Sequence, residues 1–222
     1  MRIGCAMVQY NSTMDADSAL AGFASRVRHV LTSLDAPLLA PFLEGWPAAA
    51  IHRPGEGDEA AGTRGGKPLP VLRWMDALAA DTASFGASLI ADLAHNAHAL
   101  TWQQTYTARD TSGEFIENYG YAELLGPRAP LHSERIAGGF LLLGPRTLYP
   151  RHRHEAEEIY LPLSGTARWQ QGSADWTERP PGTIIHHASE EPHAMQTGDR
   201  PLLALYLWRS AQLNQKARLV PE

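Results

Sequence analysis

Two different periods of hydrophobic and polar residues divide the chain. In the first part, Leu20, Phe23, Val27, Val30, Leu31 and Leu34 recur at steps of three and four. That spacing gathers them on one stripe of a helix, with Asp15 or Asp17 placed to cap its start. Pro37 and Pro41 interrupt the chain before Pro47. His52 to Pro70, with five glycines and three prolines, reads as a long exposed loop. Helical spacing returns from Leu72 to Leu100, where Trp74, Leu78, Leu89, Ile90, Leu93 and Leu100 form a second apolar stripe. From Gly138 onward the pattern changes to short apolar runs between Gly/Pro turns. These are 139–143, Glu158–Leu163, Thr166–Gln170, Gly182–His187 and Leu202–Trp208, the signature of an antiparallel barrel or sandwich. The expected fold is therefore α+β and mostly β: a helical region over 1–126 packed on a barrel over 127–222.

Composition narrows the function classes. Nineteen basic against 24 acidic residues leave a net charge of −5, with no footprint for nucleic acid or an anionic membrane. The single cysteine, Cys5, allows no internal disulfide and suits a reducing cytoplasm. No apolar run approaches the ~20 residues of a membrane span. The first residues lack the charged, apolar and cleavage regions of a signal peptide. A soluble cytoplasmic protein acting on a small molecule is expected.

The chemistry concentrates in 147–160 and 191–195. His152 and His154, two apart on an extended segment, share a face. A straight strand would carry Glu158 about 13 Å beyond His154, at about 3.3 Å per residue. Ligand bonds to a first-row metal are only about 2.0–2.2 Å. If these residues share an ion, the chain must bend across Glu155-Ala156-Glu157 and start a new strand at Glu158, with Gly165 supplying the next turn. Arg151-His-Arg-His154 alone is an ordinary basic edge. The glutamate, the glycine and a later His193 set it apart, and His-x-His-x3-Glu-x6-Gly is the first motif of the cupin superfamily. His186 and His187 compete with His193 for the last ligand position. His193 is preferred because cupins place it near the start of the following strand. Glu155 and Glu157 read as solvated turn residues, His95 and His98 as a wet helix face, and Trp46, Trp74, Trp169 and Trp176 as packing residues.

Over about half its length the chain resembles the cupin-type dimethylsulfoniopropionate (DMSP) lyases. The resemblance runs from Trp102-Gln-Gln-Thr-Tyr106 through Phe115–Tyr121 to the end of the barrel. It is densest in Tyr149–Tyr160, Pro192-His-Ala-Met195 and Tyr206-Leu-Trp208. It implies a C-terminal cupin barrel, metal ligands at His152, His154, Glu158 and His193, and catalytic tyrosines at Tyr149 and Tyr160. One departure is Gly144, two positions earlier than the common cupin glycine.

Such a site would hold one divalent transition metal per chain, with Zn, Fe, Mn, Ni and Co all compatible with imidazole and carboxylate ligands. Cleaving DMSP, a sulfonium carboxylate, to acrylate and dimethyl sulfide needs a Lewis acid for the carboxylate, a base for the α-proton and an aromatic wall for the sulfonium. Tyr160, two residues beyond Glu158 on the same face, is the preferred base, assisted by Tyr149. Trp102, Tyr106, Tyr119, Tyr121 and Trp208 supply the pool for the wall. A cupin dioxygenase, separable by oxygen dependence, and a cupin that binds a metabolite without transforming it are the competing expectations. An isomerase would differ only in its products. Cupin sheets commonly pair, so a homodimer is also expected.

Overall fold

The structure is a computed structural model that describes residues 4–48, 51 and 68–221. Its helices are α1 (Gly4–Ser33), α2 (Ala40–Glu44), α3 (Met75–Ala79), α4 (Ala87–Asn96) and α5 (Gly113–Glu117). Its strands begin with β1 (Trp102–Gln103), β2 (Tyr119–Gly126), β3 (Leu131–His132) and β4 (Ile136–Leu143). They continue with β5 (Leu148–Arg153), β6 (Glu157–Ser164), β7 (Ala167–Gln171) and β8 (Thr177–Arg179). The last are β9 (Ile185–His187), β10 (His193–Thr197), β11 (Leu202–Arg209) and β12 (Arg218–Leu219).

Two sheets form the barrel. The larger runs β1-β2-β4-β11-β6-β9, with β3 joined to β2, and the smaller runs β12-β5-β10-β7-β8. Side-chain alternation explains why β4 and β11 are apolar almost throughout. On β11, Leu203, Leu205 and Leu207 join a core with Phe23, Val27, Leu31, Ile90 and Leu93 of the helices. The alternating residues Leu202, Ala204, Tyr206 and Trp208 face the barrel lumen. Phe23 of α1 stacks on Phe140 of β4, ring centroids 5.5 Å apart. The helices therefore cover one face of the larger sheet while the smaller sheet closes the other, and the site lies between the sheets.

The structure revises four sequence expectations. α1 begins at Gly4, so Asp15 and Asp17 lie inside it and not at its start. The stripe over Leu72–Leu100 is broken into a 3-10 turn, α3 and α4. The break has a tertiary cause: the backbone at Gly86 presses on β6, where its N–H donates to Leu163 O at 2.9 Å. A Cβ there would sit 2.4 Å from Leu163 Cβ. The larger sheet also takes β1 and β2 from the segment read as helical, so the 126/127 boundary falls at the end of a barrel strand. Glu157 begins β6 and holds His186 and Arg209, so it is no free turn residue. The proposed loop over His52–Pro70 lies almost wholly outside the described residues, as does the side chain of Cys5.

Candidate metal centre and active site

The bend that the ligand spacing requires is present. β5 ends at Arg153 and β6 begins at Glu157, so His152, His154 and Glu158 return to one point. Gly165 makes the following turn with φ +72°, a left-handed conformation that glycine adopts without strain. His193 opens β10 directly opposite His152 of β5. All four side chains are buried.

The three imidazoles are oriented in the same way. Nδ1 lies 2.8 Å from Pro150 O in His152, 2.8 Å from Ala156 O in His154 and 2.9 Å from Glu191 O in His193. A carbonyl only accepts, so each Nδ1 donates and each Nε2 is left with its lone pair, as metal-binding histidines require. One nitrogen from each ring lies within 4.8 Å of the others, forming a group able to hold a metal ion. Glu158 Oε2 stands 2.9 Å from His154 Nε2 and 3.2 Å from His193 Nε2. Lone pairs facing a carboxylate oxygen at that range repel unless a proton or a cation lies between them. The buried Nε2 of His193 has no hydrogen-bond partner among the described residues. Three inward lone pairs, one of them on the unpartnered His193 Nε2, and one carboxylate fit a divalent transition metal.

Electrostatics agree. Burial and the neighbouring His193 hold His152 well below the usual histidine range, leaving it neutral. Burial also pulls His154 down, but the charge and hydrogen bond of Glu158 raise it overall. Glu158 is held well below the carboxylate range, because His154 and His193 outweigh its burial.

Around this point the lumen is aromatic. Tyr149 stacks on His152 with centroids 4.1 Å apart, and it touches Tyr106, Phe115 and Tyr119 at 5.1–6.1 Å. Tyr119 donates to Thr105 Oγ1 at 3.1 Å and lies 6.3 Å from Tyr121. Tyr160 shares the lumen face with Glu158 and contacts Trp169 and His187. Burial, then Glu158, pushes the Tyr160 phenol well above its ordinary range, and burial does the same to Tyr149.

Of the residues proposed for the aromatic wall, Tyr106, Tyr119 and Tyr121 lie in the lumen. Trp102 does not: it pairs with Ala122 on the opposite face and packs in the helix-side core. Trp208 is closer to the ligands than to a substrate wall. Its Nε1 donates to Glu158 Oε1 at 2.6 Å, and its ring lies 4.3 Å from that of His154. Two lumen residues were given no role, Phe115 and Tyr206, which belong to the tyrosine cluster. His187, the rival ligand, stacks on His193 at 3.9 Å, with burial lowering its pKa to about 3. The signal for Tyr206 was available: it stands two residues before Trp208 on the same strand.

A profile of the dimethylsulfoniopropionate lyase family matches residues 49–204. The chain belongs to the DMSP lyase family. That match contains all four proposed ligands and the two proposed catalytic tyrosines, Tyr149 and Tyr160. Among family relatives, DddL of Cereibacter sphaeroides is 36% identical over 127 residues, 55% of this chain and 52% of its own length. The dimethylsulfoniopropionate lyase DddQ of Ruegeria pomeroyi is 34% identical over 108 residues, 49% of this chain and 54% of its own. The matched part thus spans about half the length of each relative. A chain from the crystal structures of the DMSP lyases RdDddP and RnDddQII superposes with a TM-score of 0.67 at 26% identity, covering 94% of this chain and 99% of that one. The crystal structure of DddQ from Ruegeria pomeroyi gives a TM-score of 0.71 at 24% identity over 92% and 97%, a shared fold. The two-sheet barrel with its helical cover is the cupin fold of this family.

Proposed function

We propose that the protein is a metal-dependent lyase that converts dimethylsulfoniopropionate to dimethyl sulfide and acrylate by β-elimination. The observation that carries this reading is the convergence of three Nδ1-anchored histidines and Glu158 inside a lumen walled by tyrosines. His152, His154, Glu158 and His193 would hold the ion, which when bound supplies a Lewis acid for the substrate carboxylate. With three neutral imidazoles and one carboxylate, a divalent ion keeps one positive charge for that anion.

The chain's own residues do the rest. Tyr160, as its phenolate, takes the proton from the carbon next to the carboxylate and becomes the neutral phenol. The electron pair of that C–H bond becomes the C=C bond of acrylate. The C–S bond breaks, and dimethyl sulfide leaves with its electron pair, so the sulfonium charge and the abstracted proton balance. Tyr160 is suited to this by position, on the strand face that carries Glu158. Its raised pKa also states what it needs: burial and Glu158 disfavour the phenolate, and only a nearby positive charge reverses that. Tyr149, stacked on His152, orients the substrate or assists the proton path. Tyr106, Tyr119 and Tyr121 offer ring faces to the sulfonium, each contact contributing about 0.5–2 kcal/mol.

The test is product analysis in heavy water with metal-loaded protein. Elimination through a tyrosine base predicts vinyl proton signals of acrylate in equimolar yield with dimethyl sulfide, without a requirement for O2. Turnover that stops under nitrogen would favour an oxygenase, and ligand binding with no product would favour a non-catalytic binding protein.

A further inference from the structure

Glu123 stands on the lumen wall and has no part in the chemistry above. Along β2, Ala122 and Leu124 join the helix-side core, whereas Tyr119 and Tyr121 face the lumen. Glu123, two residues beyond Tyr121, shares the lumen face. Its cross-strand partner is Gly139 of β4, whose partner on β11 is Tyr206, whose partner on β6 is Tyr160. The row Glu123–Gly139–Tyr206–Tyr160 thus crosses four adjacent strands, and Gly139 puts no side chain between Glu123 and Tyr206. Tyr206 stands edge-on to both Tyr121 and Trp208, at 6.3 Å and 6.4 Å.

The carboxylate is partly buried, and among the described residues it makes no hydrogen bond or ion pair. The nearest cation, Arg128, acts on it only through space, since its guanidinium donates to Asn214 Oδ1 at 3.1 Å. Burial raises the Glu123 carboxyl above its ordinary range. A carboxylate withdrawn from water without a partner is costly, so its place on an aromatic wall calls for a cation from elsewhere. A sulfonium or quaternary ammonium has no N–H to donate. Ring faces and a fixed negative charge are the groups that recognise it.

We propose that Glu123 is the counter-charge for the cationic end of the substrate and sets the preference for zwitterionic propionates over those without a cationic end. This rests on the lyase reading, in which the histidine cluster takes the carboxylate end. The lumen is then bipolar, with a cationic pole at the histidines and an anionic pole at Glu123. The positive charge disappears as the C–S bond breaks, so Glu123 stabilises bound substrate more than the transition state. Its loss should raise KM while leaving kcat unchanged or slightly higher.

Calorimetry on the metal-loaded protein tests this without turnover, using 3-(trimethylammonio)propionate as an unreactive zwitterion with a cationic end and 3-(methylthio)propionate as the counterpart whose sulfur end is uncharged. Wild type should bind the zwitterion at least about tenfold more tightly. Glu123→Gln should cut that preference to within about threefold while leaving the affinity for the other ligand unchanged. Glu123→Asp, which keeps the charge but shortens its reach, should fall between the two. A wild type with no preference, or a Glu123→Gln variant that keeps it, overturns the proposal. The two readings also fail separately. Release of dimethyl sulfide with undiminished discrimination in Glu123→Gln removes Glu123 and leaves the lyase. Charge discrimination lost in Glu123→Gln, in a protein that releases no dimethyl sulfide, removes the lyase and leaves Glu123 as the cation-facing residue.

Discussion

At the scale of single residues, the site is a set of histidines aimed by backbone carbonyls and of tyrosines whose phenols burial raises above their ordinary range. Replacing Tyr160 with Phe removes one hydroxyl and leaves the ring in its contacts with Trp169 and His187. Folding and metal content should survive while turnover falls about 10²–10⁴-fold, the usual contribution of a general base. Near-parental turnover in Tyr160→Phe would make Tyr160 a wall residue and move the base to Tyr149. A second consequence concerns pH. Burial, with its hydrogen bond to Thr105 opposing, pushes Tyr119 up to about 12, and burial also raises Tyr106, Tyr121, Tyr149 and Tyr206. A phenol whose pKa is raised on folding stabilises the protein fully below its unfolded value near 10 and loses that contribution as pH rises through the folded value. Ultraviolet titration of metal-free protein should therefore show most tyrosines silent at pH 10–11, then ionising together with loss of structure near pH 12. A smooth titration centred on pH 10 in folded protein would contradict the buried lumen.

At the scale of elements, the strands that build the site are held by turns with narrow tolerance. Gly165 joins β6 to β7 at φ +72°, and a Cβ there would lie 2.3 Å from Pro201 O. Gly165→Ala should cost about 1–3 kcal/mol, measurable as a lower urea midpoint with unchanged slope. An unchanged midpoint would mean that the turn relaxes freely. The turn and the bend before β6 were both legible in the sequence, because metal-ligand spacing constrains the path of the chain wherever it occurs. The barrel strands were legible for a related reason. They are covered on both faces, which leaves unbroken apolar runs between turns. Elements set by distant contacts were not legible. The break between α3 and α4 is imposed by Leu163, some eighty residues later, and nothing local marks it. Trp102 carries the chemistry of a pocket residue, yet its pairing with Ala122 turns it to the helix side. His187 went unassigned because only the pairing of β9 with β6 brings it beside Glu158.

At the scale of the whole molecule, the helical region and the barrel share one core. β2 contributes Tyr119 and Tyr121 to the lumen, while Ala122, Leu124 and Leu125 on the same strand join the core shared with the helices. A fragment of residues 128–222 would lack β1 and β2 and expose the outward face of β4, β6 and β11. It should be insoluble or unfolded by circular dichroism, and a folded, active fragment would show that the helices are dispensable. Among the described residues, no helix is long and apolar enough to cross a membrane. On the proposed function, removing the metal from this core stops DMSP cleavage. The most direct measurement is headspace detection of dimethyl sulfide from one preparation before metal removal, after it, and after readdition of Zn, Fe, Mn, Ni or Co. The account predicts release of dimethyl sulfide that vanishes on stripping, returns with metal, and fails to return in His154→Ala. Equal release from stripped and loaded protein, or none from either, would contradict it.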